Sequence, residues 1–292
     1  MKKILITGAT GNVGFEVIKS LNKIPHTLQI VAGIRDFITD KEKLAAYKIG
    51  FVQFDFMDFA TYKPALEGCE VLFLLRPPQI SDTEKYFKPL IETAKEVGIK
   101  HIVFLSVQGV EKSTIIPHHK IEKLIVDSGI PHTFLRPAYF MQNFMGSLHN
   151  DLVVHHKIFL PADKAKFTLV DVRDIGEVAA TILINTTKYI NVAYDLTNNE
   201  KLTFKEMAIQ LSEGLNTQIT YESPNLLTFY WTKRKEKMPF MLIMVMIMLH
   251  YLPKFQKEPQ NTEGVKNIIG REPITFGQFI KDNKTALTAL TK

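Results

Sequence analysis

The chain has 292 residues, of which 46% are hydrophobic and 23% charged, a composition typical of a globular protein and unlike that of a disordered chain. Lys and Arg outnumber Asp and Glu by 36 to 30, but the basic residues are scattered apart from the run Lys233–Lys237. We therefore favour a phosphorylated small molecule over nucleic acid as the anionic partner. A single cysteine, Cys69, excludes an internal disulfide, and with no signal peptide after Met1 it suggests a protein of the reducing cytoplasm.

Short apolar segments alternate with amphipathic segments over residues 1–136. The apolar segments predict strands at Lys3–Thr7, Gln29–Ile34, Phe51–Phe54, Val71–Leu75, Ile102–Leu105 and Thr133–Leu135. The amphipathic segments predict helices at Val13–Lys23, Asp40–Tyr47, Asp82–Val97 and Pro117–Ser128. Strands apolar on both faces and separated by helices are typical of a parallel sheet covered on both sides. We therefore predict an α/β fold, a doubly wound Rossmann domain, over residues 1–136.

The regular alternation loosens after residue 136. The pattern predicts strands at Phe167–Asp171 and Ala193–Leu196, and helices at Ile175–Ile184 and Phe204–Leu215, the second capped by Thr203. A last helix is predicted to begin at Phe276. We interpret residues 137–292 as a smaller C-terminal region interleaved with the Rossmann core, and we expect it to form a substrate cleft and its lid.

A glycine-rich segment, GATGNVG at residues 8–14, lies between the first strand and the first helix. Gly8 permits a tight turn, Gly11 allows a pyrophosphate to approach the backbone, and Gly14 allows close packing of the helix. The N-terminus of the helix adds N–H donors and a positive dipole. These features predict dinucleotide binding, with contacts from Gly8, Thr10, Gly11, Asn12, Val13 and Gly14.

The residues after the second and third strands predict how the adenosine half is held. Arg35 stands where an acid would bind the ribose hydroxyls, and an arginine there pairs with a 2′-phosphate, which favours NADP(H). Asp36 leaves NAD(H) open as a second cofactor. Asp55 is expected to accept a hydrogen bond from the adenine amino group, and Phe56 to shield the ring, with loop solvation as the alternative.

Three further candidates follow the fourth and fifth strands, at the carboxyl edge of the sheet where ligands of open α/β proteins bind. They are Leu75, Arg76 and Ser106. We expect them to border the nicotinamide half of the cofactor, although each also fits a purely structural role at a strand end.

The chain resembles the NmrA-like branch of the atypical short-chain dehydrogenases/reductases. The resemblance rests on GATGNVG at 8–14, HIVFLSVQG at 101–109, SGIPHTFLRPAYFMQNF at 128–144 and VDVRDIGEVAA at 170–180. Within that branch it is similar to type-2 quinone oxidoreductases and to bacterial proteins called nucleoside-diphosphate-sugar epimerases. The resemblance implies a Rossmann domain that binds NAD(P), with a cleft covered by the C-terminal region.

The catalytic Tyr-x-x-x-Lys dyad of the wider superfamily is missing. Thr114 stands at the tyrosine position and His118 at the lysine position, with Glu122 four residues on, as in the quinone-reductase relatives. The resemblance therefore implies His118 as a cofactor or catalytic contact, and Tyr139 as a second catalytic candidate. Tyr139, Phe140 and Asn143 are predicted to line the substrate site, with core packing as the alternative for the aromatic rings. No metal site is predicted, because His118 and His119 point in directions about 100° apart.

The methionine-rich segment 238–252 has three interpretations. A helix apolar on all sides is usually buried core. Because methionine adapts to irregular shapes, the segment is also suited to form a lid over a flat apolar substrate. The preceding basic run leaves a dimer or membrane-surface contact as the third interpretation. At ten unbroken apolar residues, Phe240–Leu249, it is too short to span a bilayer.

Two functions remain after these observations. The first is an NADPH-dependent oxidoreductase that reduces a quinone-like or conjugated apolar small molecule by direct hydride transfer. The second is a non-catalytic NAD(P)-binding redox sensor of the NmrA type, which the missing dyad favours. A sugar-nucleotide epimerase would need the dyad. The expected partner is a small-molecule substrate, and a homodimer or a regulatory protein partner is left open.

Overall fold

A computed structural model describes residues 2–290 of the chain. The regular elements up to residue 138 are β1 Lys3–Ile6, α1 Asn12–Leu21, β2 Gln29–Ile34, α2 Thr39–Leu44, β3 Gly50–Gln53, α3 Tyr62–Leu66, β4 Val71–Leu75, α4 Thr83–Glu96, β5 His101–Leu105, α5 Pro117–Ser128 and β6 His132–Pro137. All six predicted strands and all four predicted helices of this part are confirmed, and α3 is an addition. Gly129 ends α5 in the left-handed conformation, with φ +76°, where glycine is favoured.

The later elements are β7 Tyr139–Phe140, α6 His149–Val154, β8 Lys157–Phe159, β9 Lys166–Val170, α7 Val172–Ile184, β10 Val192–Leu196, β11 Lys201–Thr203, α8 Phe204–Leu215, β12 Thr220–Glu222, α9 Leu226–Lys235, α10 Phe240–Tyr251, α11 Gly264–Ile269, α12 Phe276–Asp282 and α13 Lys284–Thr288. The predicted cap of α8 is confirmed: the Thr203 side chain accepts from the Glu206 N–H, and the Glu206 carboxylate accepts from the Thr203 N–H.

The central sheet has seven parallel strands in the order β10-β6-β5-β4-β1-β2-β3. The order reverses between β1 and β4, as expected for a doubly wound fold, and this confirms the predicted fold class. The strand at 192–196, which we assigned to the C-terminal region, is the seventh strand of this sheet and pairs with β6. Its place was missed because parallel pairing joins segments that are far apart in sequence.

The chain divides into two compact units. The first comprises Met1–Ala138, Val172–Leu196 and Gly264–Arg271, and is therefore larger than the predicted 1–136. In this unit α7 packs closely on α1. A β-carbon at Gly176 would lie only 2.7 Å from the backbone of Glu16, so this approach requires glycine. That close approach gives a physical reason for glycine in the VDVRDIGEVAA segment.

The second unit comprises Tyr139–Asp171, Thr197–Glu263 and Glu272–Lys292. It contains a three-stranded sheet in the order β11-β9-β7 and the strand pair β12-β8. Its core is rich in aromatic rings, among them Phe144, Phe204, Phe229 and Phe276. A buried ion pair contributes as well: the Lys233 ammonium lies 2.6 Å from Asp151 and 2.9 Å from Glu236.

Candidate functional site

The loop between β1 and α1 has the geometry of an anion-binding turn. Gly8 adopts φ +62°, which glycine tolerates at no steric cost, and its carbonyl accepts the Gly11 N–H at 3.0 Å. Helix α1 begins at Asn12 without a side-chain cap and without an acidic residue in its first turn. The first N–H groups of a helix have no partner within the helix. They are therefore available to an anion, whose charge the helix dipole favours.

The residues of this loop that we predict to contact the cofactor differ in the exposure of their side chains. Gly11 and Asn12 are exposed and Thr10 is half-buried, whereas the Val13 side chain lies in the hydrophobic core. Val13 is therefore limited to a backbone contact with any ligand. Asn12 and Thr10 retain side chains that reach solvent.

Gly11 and Gly14 have different structural requirements. A β-carbon at Gly14 would lie 2.2 Å from the Gly8 carbonyl oxygen, so the fold itself demands glycine there. At Gly11 the backbone is ordinary, with φ −84°, and a β-carbon would meet only the same oxygen, at 3.3 Å. The space over Gly11 is open on its solvent side. A side chain at Gly11 would therefore obstruct a ligand lying against the backbone and not the fold itself. A glycine at this position fits a bound pyrophosphate.

Arg35 follows β2, and its side chain is exposed. Within residues 2–290 its guanidinium forms no ion pair. The Asp36 carboxylate accepts from the N–H groups of Ile38 at 2.8 Å and Thr39 at 3.3 Å, and these bonds lower its pKa. Asp40 accepts from the N–H groups of Arg35 and Asp36. Because both nearby acids are used by the turn, Arg35 is a free cation suited to a phosphate.

The two predicted adenine contacts are placed differently. Asp55 is half-buried, and its Oδ1 accepts from the Met57 N–H at 2.9 Å, while Oδ2 has no partner in the described part of the chain. Phe56 is only 5% exposed, and its ring packs against Phe54 and Phe87. The expectation that the Phe56 ring shields adenine is therefore wrong, because that ring belongs to the hydrophobic core.

Leu75 ends β4 beside the glycine loop, and Ser106 follows β5, the next strand of the sheet. Leu75 donates its N–H to the buried Thr7 hydroxyl, and its side chain is the neighbour that a β-carbon at Gly8 would meet, at 3.0 Å. Leu75 and Leu105 are paired in the parallel register, so Ser106 is level with Arg76. The Ser106 hydroxyl is buried without a hydrogen-bond partner. A buried hydroxyl without a partner is uncommon and fits a polar group supplied by a ligand.

Arg76 is a half-buried cation without a carboxylate partner in the described chain. Its Nη1 donates to the carbonyls of Pro77, Pro78 and Ile80, and its Nε donates to His118 Nε2 at 3.4 Å. Burial lowers the pKa of Arg76. These bonds join the end of β4 to the first turn of α5.

His118 is held in its neutral form. Burial, together with the charge of Arg76, lowers its pKa to about 3. Because Nε2 accepts from Arg76, the single ring proton resides on Nδ1. His118 is therefore a hydrogen-bond donor through Nδ1, and near neutral pH it has no ionisable proton to give. Thr114, at the place of the missing tyrosine, is exposed and lies in the bend before α5.

Glu122 has a structural partner that the sequence did not suggest. It lies one turn after His118 on α5, and its carboxylate forms a bidentate pair with Arg136 of β6, at 3.0 and 2.7 Å. This pair raises the pKa of Arg136 and fixes α5 against the sheet. Glu122 is thus a positioning residue for the helix that carries His118.

The second unit contains a further polar group in aromatic surroundings. The Tyr139 hydroxyl lies 3.0 Å from His250 Nε2, and His250 Nδ1 lies 2.6 Å from the Met246 carbonyl. His250 is 2% exposed, and burial lowers its pKa to about 4. A neutral His250 that donates from Nδ1 must accept at Nε2, so the Tyr139 phenol donates to it. Burial raises the pKa of Tyr139.

The rings of Phe167 and Phe204 pack around Tyr139 and His250. Phe140 and Asn143, the other predicted substrate contacts, are half-buried at the 3₁₀ turn that follows. His250 itself was missed, because a residue 111 positions away gives no local pattern that links it to Tyr139.

The methionine-rich helix α10 is buried on one side only. Ile243, Met246 and His250 are its buried residues, whereas most of its other apolar side chains are exposed. The interpretation of the segment as ordinary core is therefore wrong for most of its length. Across residues 2–290, every helix falls short of what a bilayer-spanning segment requires.

The parallel sheet with its glycine-rich first turn defines the chain as a Rossmann-type protein. A model of the NmrA-like family matches residues 1–267, so the chain belongs to the NmrA-like family, and the predicted resemblance is confirmed. The chain is 30% identical to prestalk A differentiation protein A of Dictyostelium discoideum, over 96% of this chain and 91% of that protein.

Two further comparisons involve Escherichia coli. The chain is 30% identical to quinone oxidoreductase 2 over 75% of this chain and 77% of that protein. An NADPH-dependent quinone oxidoreductase solved in complex with NADPH superposes with a TM-score of 0.84 at 26% identity, covering 96% of this chain and 99% of the other. The family thus includes NAD(P)H-dependent oxidoreductases.

Proposed function

We propose that the protein is an NADPH-dependent reductase of a quinone-like or otherwise conjugated, apolar small molecule. The observation that carries the proposal is the carboxyl edge of the sheet, where the open glycine loop follows β1, the orphan Ser106 hydroxyl follows β5, and the neutral His118 lies in the first turn of α5. The NADPH-bound relative supports the choice of cofactor.

The residues of the first unit fit NADPH from one end to the other. The N–H groups at the start of α1 would hold the pyrophosphate, and Arg35 would pair with the 2′-phosphate. Asp55 would accept from the adenine amino group. The Ser106 hydroxyl would bind a polar group of the nicotinamide half. The bound cofactor would supply the hydride.

The chemistry of His118 and Tyr139 favours a substrate that needs little proton assistance. An isolated ketone becomes an alkoxide as it accepts hydride and therefore requires an acid. A quinone that accepts hydride becomes a hydroquinone monoanion, which then takes one proton from water. His118 has a pKa of about 3, and the Tyr139 phenol is bonded to His250, so neither is set up as an acid near pH 7.

The role of these residues in the proposal is orientation. His118 would hold an oxygen in place through Nδ1–H, and the closely packed α5 would keep water from the reacting atoms. Tyr139, Phe140 and Asn143 remain predicted substrate contacts, for which the aromatic surroundings of Tyr139 are suited to a flat apolar molecule.

The test is cofactor oxidation, followed at the nicotinamide absorbance, with a panel of soluble quinones, enones and isolated ketones. We expect turnover with quinones and little with ketones. The rival function is a non-catalytic NAD(P) sensor, which the lack of the Tyr-x-x-x-Lys dyad and of another proton donor favours. Tight binding of NADPH without oxidation by any compound of the panel would establish the sensor and refute the reductase.

A further inference from the structure

Helices α9 and α10 expose apolar side chains on the sides that face away from the core. On α10 the residues Met241, Met244 and Met248 lie opposite the buried Ile243, Met246 and His250, as the 100° spacing of helical residues requires. On α9, Leu227 is 74% and Trp231 61% exposed, opposite the buried Phe229. We call the six residues Leu227, Trp231, Phe240, Met241, Met244 and Met248 the apolar face.

The apolar face is formed by consecutive helices with a fixed junction. Only residues 236–239 separate α9 from α10, and the Tyr230 and Phe240 rings are in contact at a centroid distance of 6.4 Å. The Met238 N–H donates to the Lys233 carbonyl at 3.1 Å. A contiguous exposed apolar surface marks an interaction site more often than isolated exposed residues do.

The junction of the two helices is strongly cationic. Arg234, Lys235 and Lys237 are exposed, and none of them forms an ion pair within residues 2–290. The one acidic residue of segment 226–255, Glu236, is paired with the buried Lys233. The partner of the apolar face must therefore tolerate, or attract, three uncompensated positive charges.

We infer that the apolar face docks on the surface of an anionic lipid bilayer. Apolar side chains with an exposed tryptophan suit the boundary between headgroups and acyl chains, and adjacent basic residues suit anionic headgroups. A second copy of the chain is a poorer partner, because a two-fold contact brings the same patch of both copies together and with it the same cationic junction. The docking is peripheral, since the opposite side of α10 is buried.

Flotation of the full chain with lipid vesicles tests this inference. We expect binding to vesicles of roughly equal parts phosphatidylglycerol and phosphatidylcholine, little binding to phosphatidylcholine alone, and release at high salt. A basic residue near an anionic surface contributes about fivefold to partitioning. The triple variant R234Q/K235Q/K237Q should therefore bind about 100-fold more weakly.

The matched charge control is K205Q/K281Q/K284Q, which removes the same net charge from α8, α12 and α13. It should bind within about twofold of the unmodified chain. An equal loss in both triple variants would mean that overall net charge, and not the cationic junction beside the apolar face, attracts the protein, and this would overturn the inference.

The variant M244S/M248S tests the apolar contribution, and I209S, at an exposed apolar position of α8, is its control. M244S/M248S should weaken vesicle binding at least about tenfold, and I209S should leave it unchanged. Circular dichroism of each variant reports that the chain remains folded. Because neither vesicle binding nor this fold check uses NADPH or a quinone, failure of the docking inference is distinct from failure of the proposed reductase.

Three further results would overturn the inference. The first is equal binding to vesicles with and without phosphatidylglycerol. The second is no binding to either, as expected if the partner is an acidic protein. The third is a concentration-dependent dimer, seen by sedimentation, that M244S/M248S dissociates in the absence of any vesicle binding.

Discussion

The glycine loop of the first unit and the Tyr139–His250 pair of the second unit are built in opposite ways. The loop uses backbone groups of consecutive residues, so its geometry is encoded within GATGNVG. The pair joins side chains that are 111 residues apart, and a buried helix carbonyl orients it. The first arrangement leaves N–H groups at the start of α1 for an anion from outside the protein, whereas in the second the polar groups satisfy one another. Substitutions on the open side of the loop should therefore weaken ligand binding, and substitutions in the Tyr139–His250 pair should lower the free energy of unfolding.

The largest effect is expected at the glycine loop. Gly11→Val places a branched side chain on the open side of the loop, where the pyrophosphate would lie, and should weaken NADPH binding more than about 100-fold without unfolding the protein. Titration of NADPH, with circular dichroism as the fold check, measures this. Unchanged affinity in a folded Gly11→Val protein would refute the cofactor site.

Gly14→Ala is the matched contrast. Its β-carbon would overlap the Gly8 carbonyl at 2.2 Å, so the free energy of unfolding should fall by about 3 kcal/mol, the upper range for overpacking. Gly11→Ala should lose less than about 1 kcal/mol. Urea unfolding of both variants separates the requirement of the fold from that of the ligand.

The sequence predicted the loop and the sheet well because both depend on local patterns. Strands β1, β2, β4 and β5 are buried over most of their length, which leaves a continuous apolar run in each, whereas β3, at the edge of the sheet, is partly exposed. Sequence patterns did not predict contacts between residues that are far apart in the chain. Neither the register of β10 on β6, in which Asp195 lies opposite Arg136, nor the contact of His250 with Tyr139 has a local signal.

Phe56 shows a different kind of failure. It was assigned to adenine from its place after a strand, but the chain turns at Phe56, and the turn places its ring against Phe54 and Phe87. A turn that brings the ring back onto the core has no signal in strand alternation.

The next effect concerns the choice between cofactors. Arg35→Ala should weaken NADPH by about 10–100-fold, because a charge-assisted hydrogen bond contributes roughly 1.5–3 kcal/mol. NADH should be almost unaffected, since it has no 2′-phosphate. Parallel titrations with both cofactors measure the difference. An equal loss for both would show that Arg35 acts on the loop rather than on the phosphate.

The second unit should respond to acid. The folded-state pKa of His250 is about 4, below the usual 6.5, so the unfolded chain binds a proton first as the pH falls. The contribution of His250 to stability is complete above about pH 6.5 and decreases toward pH 4. From pH 7 to pH 5 the loss should be about 2 kcal/mol, at about 1.4 kcal/mol per pKa unit.

Other buried histidines also contribute, because the pKa of His101 is about 4 as well. The His250→Gln variant isolates the contribution of His250. In urea unfolding at pH 7 and pH 5, the free energy of unfolding of this variant should change by about 2 kcal/mol less than that of the unmodified protein. The same dependence in both proteins would mean that His250 is solvated in solution.

The smallest effect is expected from pH on the reaction itself. Because the pKa of His118 is about 3, its imidazole stays neutral throughout the usable range, and kcat/KM should show no inflection near pH 6–7. His118→Ala should slow turnover by less than about 100-fold, below the usual contribution of a general acid, with NADPH affinity nearly unchanged. Thr114→Val, in the exposed bend, should not change activity.

If instead His118→Ala abolishes activity and the unmodified enzyme follows a pKa near 6–7, then His118 is charged in the working enzyme. The Arg76 contact would then have to break during turnover, and an isolated carbonyl would become the better substrate than a quinone.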